Sequence, residues 1–225
     1  MGTAIALALQ VSGERLAIAA RRIGRDPGEI SIVAVSKGVE AQRIRQAYAA
    51  GIRLVGESRV QESIAKAEQL KDLDLEWHLV GHLQTNKVSQ AVGHFALIHS
   101  VDSVRLLQAI AREAKRKGLR QRILLQVNLA QEAGKHGFAL QEVAAATSEA
   151  ANFANIALEG FMILAPYDPD PEKARPVFRS LKELRDRLAP ALSTLSMGMT
   201  HDAQIAVEEG ATLVRIGTGI FGQRT

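Results

Sequence analysis

Eight short apolar runs alternate with longer amphipathic stretches, and this alternation restricts the fold more than any other feature of the chain. The runs are SIVAVS (31–36), IRLVGE (52–57), EWHLVG (76–81), FALIHS (95–100), RILLQVN (122–128), IALEGFMIL (156–164), LSTLSMG (192–198) and TLVRIG (212–217). They are short, apolar and mostly uncharged, which suits strands covered on both faces. Helical periodicity falls between them, near 40–50, 58–71, 84–93, 102–117, 139–151, 171–189 and 201–209. Strand followed by helix, eight times in 225 residues, predicts an α/β protein built as a single (β/α)8 barrel of the TIM type, with a doubly wound open sheet as the alternative. Residues 1–28 add an N-terminal amphipathic helix and a linker to the first strand, and no internal linker divides residues 1–225. The proline-rich APYDPDPEKARP (165–176) reads as a loop after the sixth strand that starts a helix near Pro171.

A barrel of this kind carries its chemistry where the strands end, so the residues just past each run are the candidates. They are Lys37, Gly56-Glu57-Ser58, His82 to Lys87, His99-Ser100, Asn128, Ala165-Pro166, Ser196 to Thr200 and Arg215 to Gly219. The last two loops, SMGMTHD and RIGTGIFG, hold the pattern of a phosphate site. Gly198, Gly217 and Gly219 let backbone amides approach an anion, Ser196, Thr200 and Thr218 offer hydroxyls, and Thr200 is placed to cap a helix. Lys37 interrupts an apolar strand end, where partial desolvation and neighbouring cations favour the neutral, nucleophilic amine and hence a Schiff base. Pyridoxal phosphate combines aldehyde and phosphate in one molecule. Arg215, a cation at neutral pH, would meet its ring nitrogen and weaken it as an electron sink, which predicts binding with muted chemistry.

Other function classes fit poorly. The chain has no cysteine, which removes disulfides and thiolate chemistry and fits a cytoplasmic protein. No apolar run reaches the length that spans a bilayer, and the net charge of +4 comes with only 4% aromatic residues, so neither a membrane nor a nucleic acid is an expected partner. Gly217-Thr218-Gly219-Ile220-Phe221-Gly222 satisfies GxGxxG, but the helix, second strand and acidic residue of a dinucleotide fold do not follow. His78 and His82 lie on a strand and its turn without an intervening HExxH glutamate, so no metal is expected. Glu132 and Lys135 read as a rim ion pair in the loop after the fifth strand.

VAVSKGVE, GIRLVGESRVQE, WHLVGHLQTNKV, LLQVNLAQEAGKHGF, LEGFMILAP and LSMGMTHDAQIAVEEGATLVRIGTGIFG together resemble the pyridoxal-phosphate homeostasis protein family, from about residue 30 onward. The resemblance implies a barrel like the N-terminal domain of alanine racemase. It also implies Lys37 as the lysine that carries pyridoxal 5'-phosphate as a Schiff base, Ser196, Met199, Thr200, Gly217 and Thr218 around the phosphate, and Arg215 at the ring nitrogen. Ser58 stands where the family usually has asparagine, and its shorter hydroxyl implies that this cofactor contact is lost or water-mediated. The implied role is intracellular handling of the cofactor, including delivery to apo-enzymes, by a monomer. A racemase-like enzyme or a Schiff-base aldolase is the alternative, weakened by the lack of length for a second domain with the opposing proton carrier.

Overall fold

The computed structural model describes residues 2–129 and 136–223. After helix α1 (Gly2–Arg22) the chain runs β1 (Ser31–Val35), α2 (Ala41–Ala49), β2 (Leu54–Glu57), α3 (Val60–Gln69), β3 (Glu76–Leu79), α4 (Val88–Ala91), β4 (Leu97–Val101) and α5 (Val104–Lys117). It continues through β5 (Gln121–Val127), α6 (Val143–Ala151), β6 (Ile156–Ile163), α7 (Arg175–Leu188), β7 (Thr194–Met199), α8 (Ala203–Glu208), β8 (Leu213–Ile216) and α9 (Thr218–Phe221). The eight strands form a closed parallel barrel in sequence order, with β1 pairing both β2 and β8. The open-sheet alternative is therefore excluded. Two departures concern helices: the stretch at 84–93 narrows to a 3-10 turn at Thr85–Lys87 and one turn of α4, and α9, a single turn beyond β8, is too short to leave a periodic signal.

The apolar residues divide into two sets, as parallel strands covered on both faces require. Leu97, Leu124 and Met162, with Leu213 against them, fill one part of the barrel interior. The larger core lies between the barrel and its helices and includes Ile44, Leu79, Leu107, Ile110, Phe161, Phe178 and Val214, all essentially solvent-free. Helix α1 joins it through Ile5, Leu9, Leu16 and Ala20, at helical spacing, and packs on α2, α8 and α9. Arg25, just past α1, donates to the carbonyls of Val207 and Ala211 at 3.0 Å, so the helix is fixed beneath the strand-eight side of the barrel. Among the described residues no helix is long and apolar enough to cross a membrane.

The N-terminal ends of the strands surround a cavity of about 730 Å3 lined by Ser31, Leu54, Glu76, Leu97, Arg122 and Thr194. Its charges already have partners, because Arg122 donates to Glu76 at 2.7 Å and to Glu159 at 2.6 Å. This face reads as a stabilising rim, in keeping with the division of labour in such barrels. Hydrogen bonds from His78 and then Arg122 hold the Glu76 carboxyl down at about 2, against an ordinary 4.5. The depressed value means that the folded state favours the ionised form. The stabilisation is whole above about pH 4.5 and is lost as pH falls toward 2. In chemical denaturation, the stability difference between the parent and Glu76→Gln should be constant at neutral pH and shrink across that window. A difference independent of pH would contradict it.

Candidate functional site

β1 ends at Val35, and the chain turns through Ser36, Lys37 and Gly38, where Gly38 takes the left-handed φ of 70° that favours glycine. A buried network behind the turn fixes it. Lys66 on α3 donates to the Ser36 carbonyl at 2.6 Å and to Glu57 and Glu62 at 2.7 Å each. The Ser36 hydroxyl donates to Glu57 at 2.5 Å, and the Gly38 amide donates to Glu62 at 2.6 Å. Burial raises the Glu57 carboxyl above its ordinary value, while Lys66 and Ser36 pull it back. Burial acts the same way on Glu62, but Lys66 and the Gly38 amide outweigh it and leave that carboxyl lowered. Lys37 itself is half-buried and its amine has no hydrogen-bond or ionic partner among the described residues. The turn thus displays a primary amine at the C-terminal mouth on a backbone that three neighbours hold still.

Across the barrel seam, β8 pairs with β1 so that Ile216 lies opposite Ala34, which sets Gly217 beside Val35 and the lysine turn. The two last loops close on one another. Thr200 Oγ1 accepts from the Gly219 amide at 3.3 Å and from the Thr218 hydroxyl at 3.4 Å. A Cβ on Gly219 would stand 2.9 Å from Thr200 Cγ2, so glycine is what permits the approach. Gly198 has φ 87°, and a Cβ there would press on Ala206 at 2.5 Å. The expected helix cap by Thr200 is not found: α8 begins after Asp202, which accepts from the Met199 amide at 2.6 Å and closes the turn, leaving Thr200 exposed toward β8. Met199 is exposed as well. Ser12 and Arg15 of α1 join Thr200, His201, Ile216 and Thr218 around a mouth cavity of about 550 Å3.

Arg215 lies inside the barrel, 4% exposed, donating to the Ile163 carbonyl at 2.8 Å and to Ser196 Oγ at 2.5 Å. Burial lowers its guanidinium to about 10, opposed by nearby Asp202, so it remains a cation at neutral pH. Ser196 is fully buried and its hydroxyl also meets His99 at 2.9 Å. The Ser196 hydroxyl thus meets His99 and Arg215, whereas Thr200 meets Thr218 and Gly219. Ser58 packs on Gly81, where a Cβ would fall 2.5 Å from the Ser58 carbonyl oxygen. Glu132 and Lys135 lie outside the described residues.

His82 parts from His78 and meets His136 instead. Both Nδ1 atoms face one Asp102 oxygen, at 2.9 and 3.3 Å, and the rings stack 3.8 Å apart with planes 11° from parallel. The ligand atoms of His82, Asp102 and His136 lie within 4.8 Å of one another, close enough to share one metal ion, and the trio ties the loops after β3, β4 and β5. Lys66 and Glu62 are the site residues that sequence reasoning missed. Their signal was an i, i+4 acid–base pair on a helix, which ordinarily marks a solvated face.

Residues 14–225 match the family model described as alanine racemase, N-terminal domain. The pyridoxal phosphate homeostasis protein of Aquifex aeolicus is 43% identical over 215 residues, covering 94% of each chain, and that of Pseudomonas aeruginosa is 40% identical over 93% and 91%. The chain belongs to the pyridoxal phosphate homeostasis protein family. PipY of Synechococcus elongatus, solved with PLP bound, superposes with a TM-score of 0.81 at 39% identity, covering 93% of this chain and 99% of that one. Alanine racemase from Clostridium difficile shares the fold at a TM-score of 0.76 with 14% identity, this chain spanning 57% of its length.

Proposed function

We propose that the protein binds pyridoxal 5'-phosphate at the barrel mouth, with Lys37 as the attachment point, and serves the handling of that cofactor and its delivery to apo-enzymes in the cytoplasm, as a monomer. The observation that carries the reading is the amine without a partner on a pinned turn, beside two interlocked hydroxyl- and glycine-bearing loops and above a buried arginine. The residues present fit the group. Thr200, Thr218 and the glycine backbone of Gly217 suit a phosphate, Met199 is exposed at its edge, and Ser58 stands at the strand-two side. Bound there, the group supplies an aldehyde that condenses with a primary amine with loss of water, and an electron-withdrawing ring. Arg215 brings a permanent donor to the ring nitrogen and therefore keeps it from accepting a proton. That favours holding over turnover, and the family of the chain's relatives supports the same reading.

Titrating the protein with pyridoxal 5'-phosphate and with pyridoxal, followed by the visible absorption band, tests it. A single saturable site is expected for the phosphate ester. The unphosphorylated aldehyde should bind at least about tenfold more weakly, since the loop contacts are lost, charge-assisted hydrogen bonds being worth about 1.5–3 kcal/mol each. Equal affinity for the two would remove the phosphate site.

A further inference from the structure

A row of polar side chains crosses the barrel interior from the N-terminal rim to Ser196 and Arg215. Glu76 Oε1 lies 3.0 Å from His78 Nε2, His78 Nδ1 lies 3.0 Å from His99 Nε2, and His99 Nδ1 lies 2.9 Å from Ser196 Oγ. Arg215 closes it with Nη1 on the same Ser196 oxygen. His78, His99 and Ser196 are 1%, 0% and 0% exposed, so no water competes for these bonds. The row links the Arg122–Glu76 rim at the N-terminal face to the buried arginine under the mouth.

Hydrogen-bond bookkeeping permits one direction. Glu76 also accepts from Arg122 and is ionised, so it can only accept, and His78 must present Nε2–H to it. A neutral His78 then offers a lone pair at Nδ1, which requires His99 to donate from Nε2–H. His99, fully buried and held well below the ordinary imidazole value by that burial, is neutral and offers its own lone pair at Nδ1. That lone pair accepts a hydrogen bond from the Ser196 hydroxyl. The Ser196 oxygen is left as a pure acceptor for Arg215. The reverse order would begin with a charged His78 and place two donors on Ser196, stranding its hydroxyl proton without a partner in a solvent-free site.

We infer that His99, set by His78 and Glu76, is a positioning residue for Arg215: it holds the Ser196 hydroxyl turned away so that the serine oxygen anchors the guanidinium. With Nη1 on Ser196 and Nη2 on Ile163, two of the five N–H donors of the arginine are fixed, and one of the remaining three would be left for the ring nitrogen. The inference rests on the reading of Arg215 as the partner of the cofactor ring. It explains why a serine in a phosphate-like loop points inward, and it makes the electronic state of the ring depend on residues at the far face of the barrel.

Two measurements test it. Long-range 15N–1H spectra of the ligand-free protein at neutral pH should show both His78 and His99 neutral and in the Nε2–H tautomer; an Nδ1–H tautomer or an imidazolium at either position would overturn the row. With pyridoxal 5'-phosphate added, the visible band of His99→Asn, whose amide oxygen can stand in for Nδ1, should stay at the parental position. The bands of His99→Leu and Ser196→Ala should shift, and that of Glu76→Leu should shift in the same sense. A role in packing alone predicts the opposite order, with the larger leucine tolerated and asparagine not, and that result would overturn the inference, as would unshifted bands throughout. If the parent itself forms no band, the cofactor reading has failed and the role of Arg215 falls with it, whereas the imidazole spectra still report whether the row exists.

Discussion

Replacing Lys66 by methionine is expected to destabilise the protein by about 3–5 kcal/mol in chemical denaturation, the range seen when one partner of a buried ion pair is removed. Lys66 is 8% exposed and is the cation that bonds Glu57, which is fully buried, while Glu57 Oε2 has no hydrogen-bond partner among the described residues. Without Lys66 that carboxyl must either sit in the core unpaired or take up a proton. The double replacement Lys66→Met with Glu57→Leu should therefore recover much of the loss, because the stranded charge goes with its partner. Recovery of stability would not restore the lysine turn, since the bond from Lys66 to the Ser36 carbonyl is gone in both variants and that from Ser36 to Glu57 is gone in the double one. The double variant is thus expected to fold and to bind cofactor poorly. A loss below about 1 kcal/mol in the single variant would show that the pair is weaker than its burial implies.

Gly160→Ala is the second large effect. Gly160 lies in β6 opposite Thr194 of β7, just past the register shift that lets Glu159 reach Arg122. A Cβ there would overlap the Thr194 carbonyl oxygen, and that neighbour is backbone inside a closed ring of strands. Relief requires β6 and β7 to separate, so a loss of about 3 kcal/mol or more is expected, at or beyond the upper end for overpacking. The thermal midpoint of Gly160→Ala against Gly219→Ala discriminates the account. A Cβ on Gly219 meets side-chain atoms of Thr200 and Ile216, which can shift, and its replacement should act on phosphate affinity more than on stability. Equal stability losses would mean that the barrel yields where the geometry says it cannot.

The barrel was legible in the sequence because the strands are largely buried on both faces and so appear as short, mostly apolar runs, with observed bounds within a residue or two of those runs. The mouth was legible for the same reason: Lys37, Arg215 and the hydroxyls of the last two loops interrupt or follow apolar runs where only function or a buried partner tolerates them. What could not be read was direction. Nothing local distinguishes the Ser196 hydroxyl, which turns inward to His99 and Arg215, from that of Thr200, which faces Gly219. His78 and His82, four apart, were weighed as a pair, yet alternation along β3 and the turn after it sends one into the barrel and the other to Asp102. Lys66 was invisible because an i, i+4 pair on a helix looks the same whether its face is wet or packed on a strand end.

The most direct test is the site of attachment. The protein is mixed with an equal amount of pyridoxal 5'-phosphate, reduced with borohydride, digested and mapped by mass spectrometry. The account predicts one modified residue, Lys37, and no fixed cofactor in Lys37→Ala, whose fold should be unchanged because that amine supports no bond among the described residues. Label scattered over several lysines, or carried by Lys37→Ala as fully as by the parent, would contradict it.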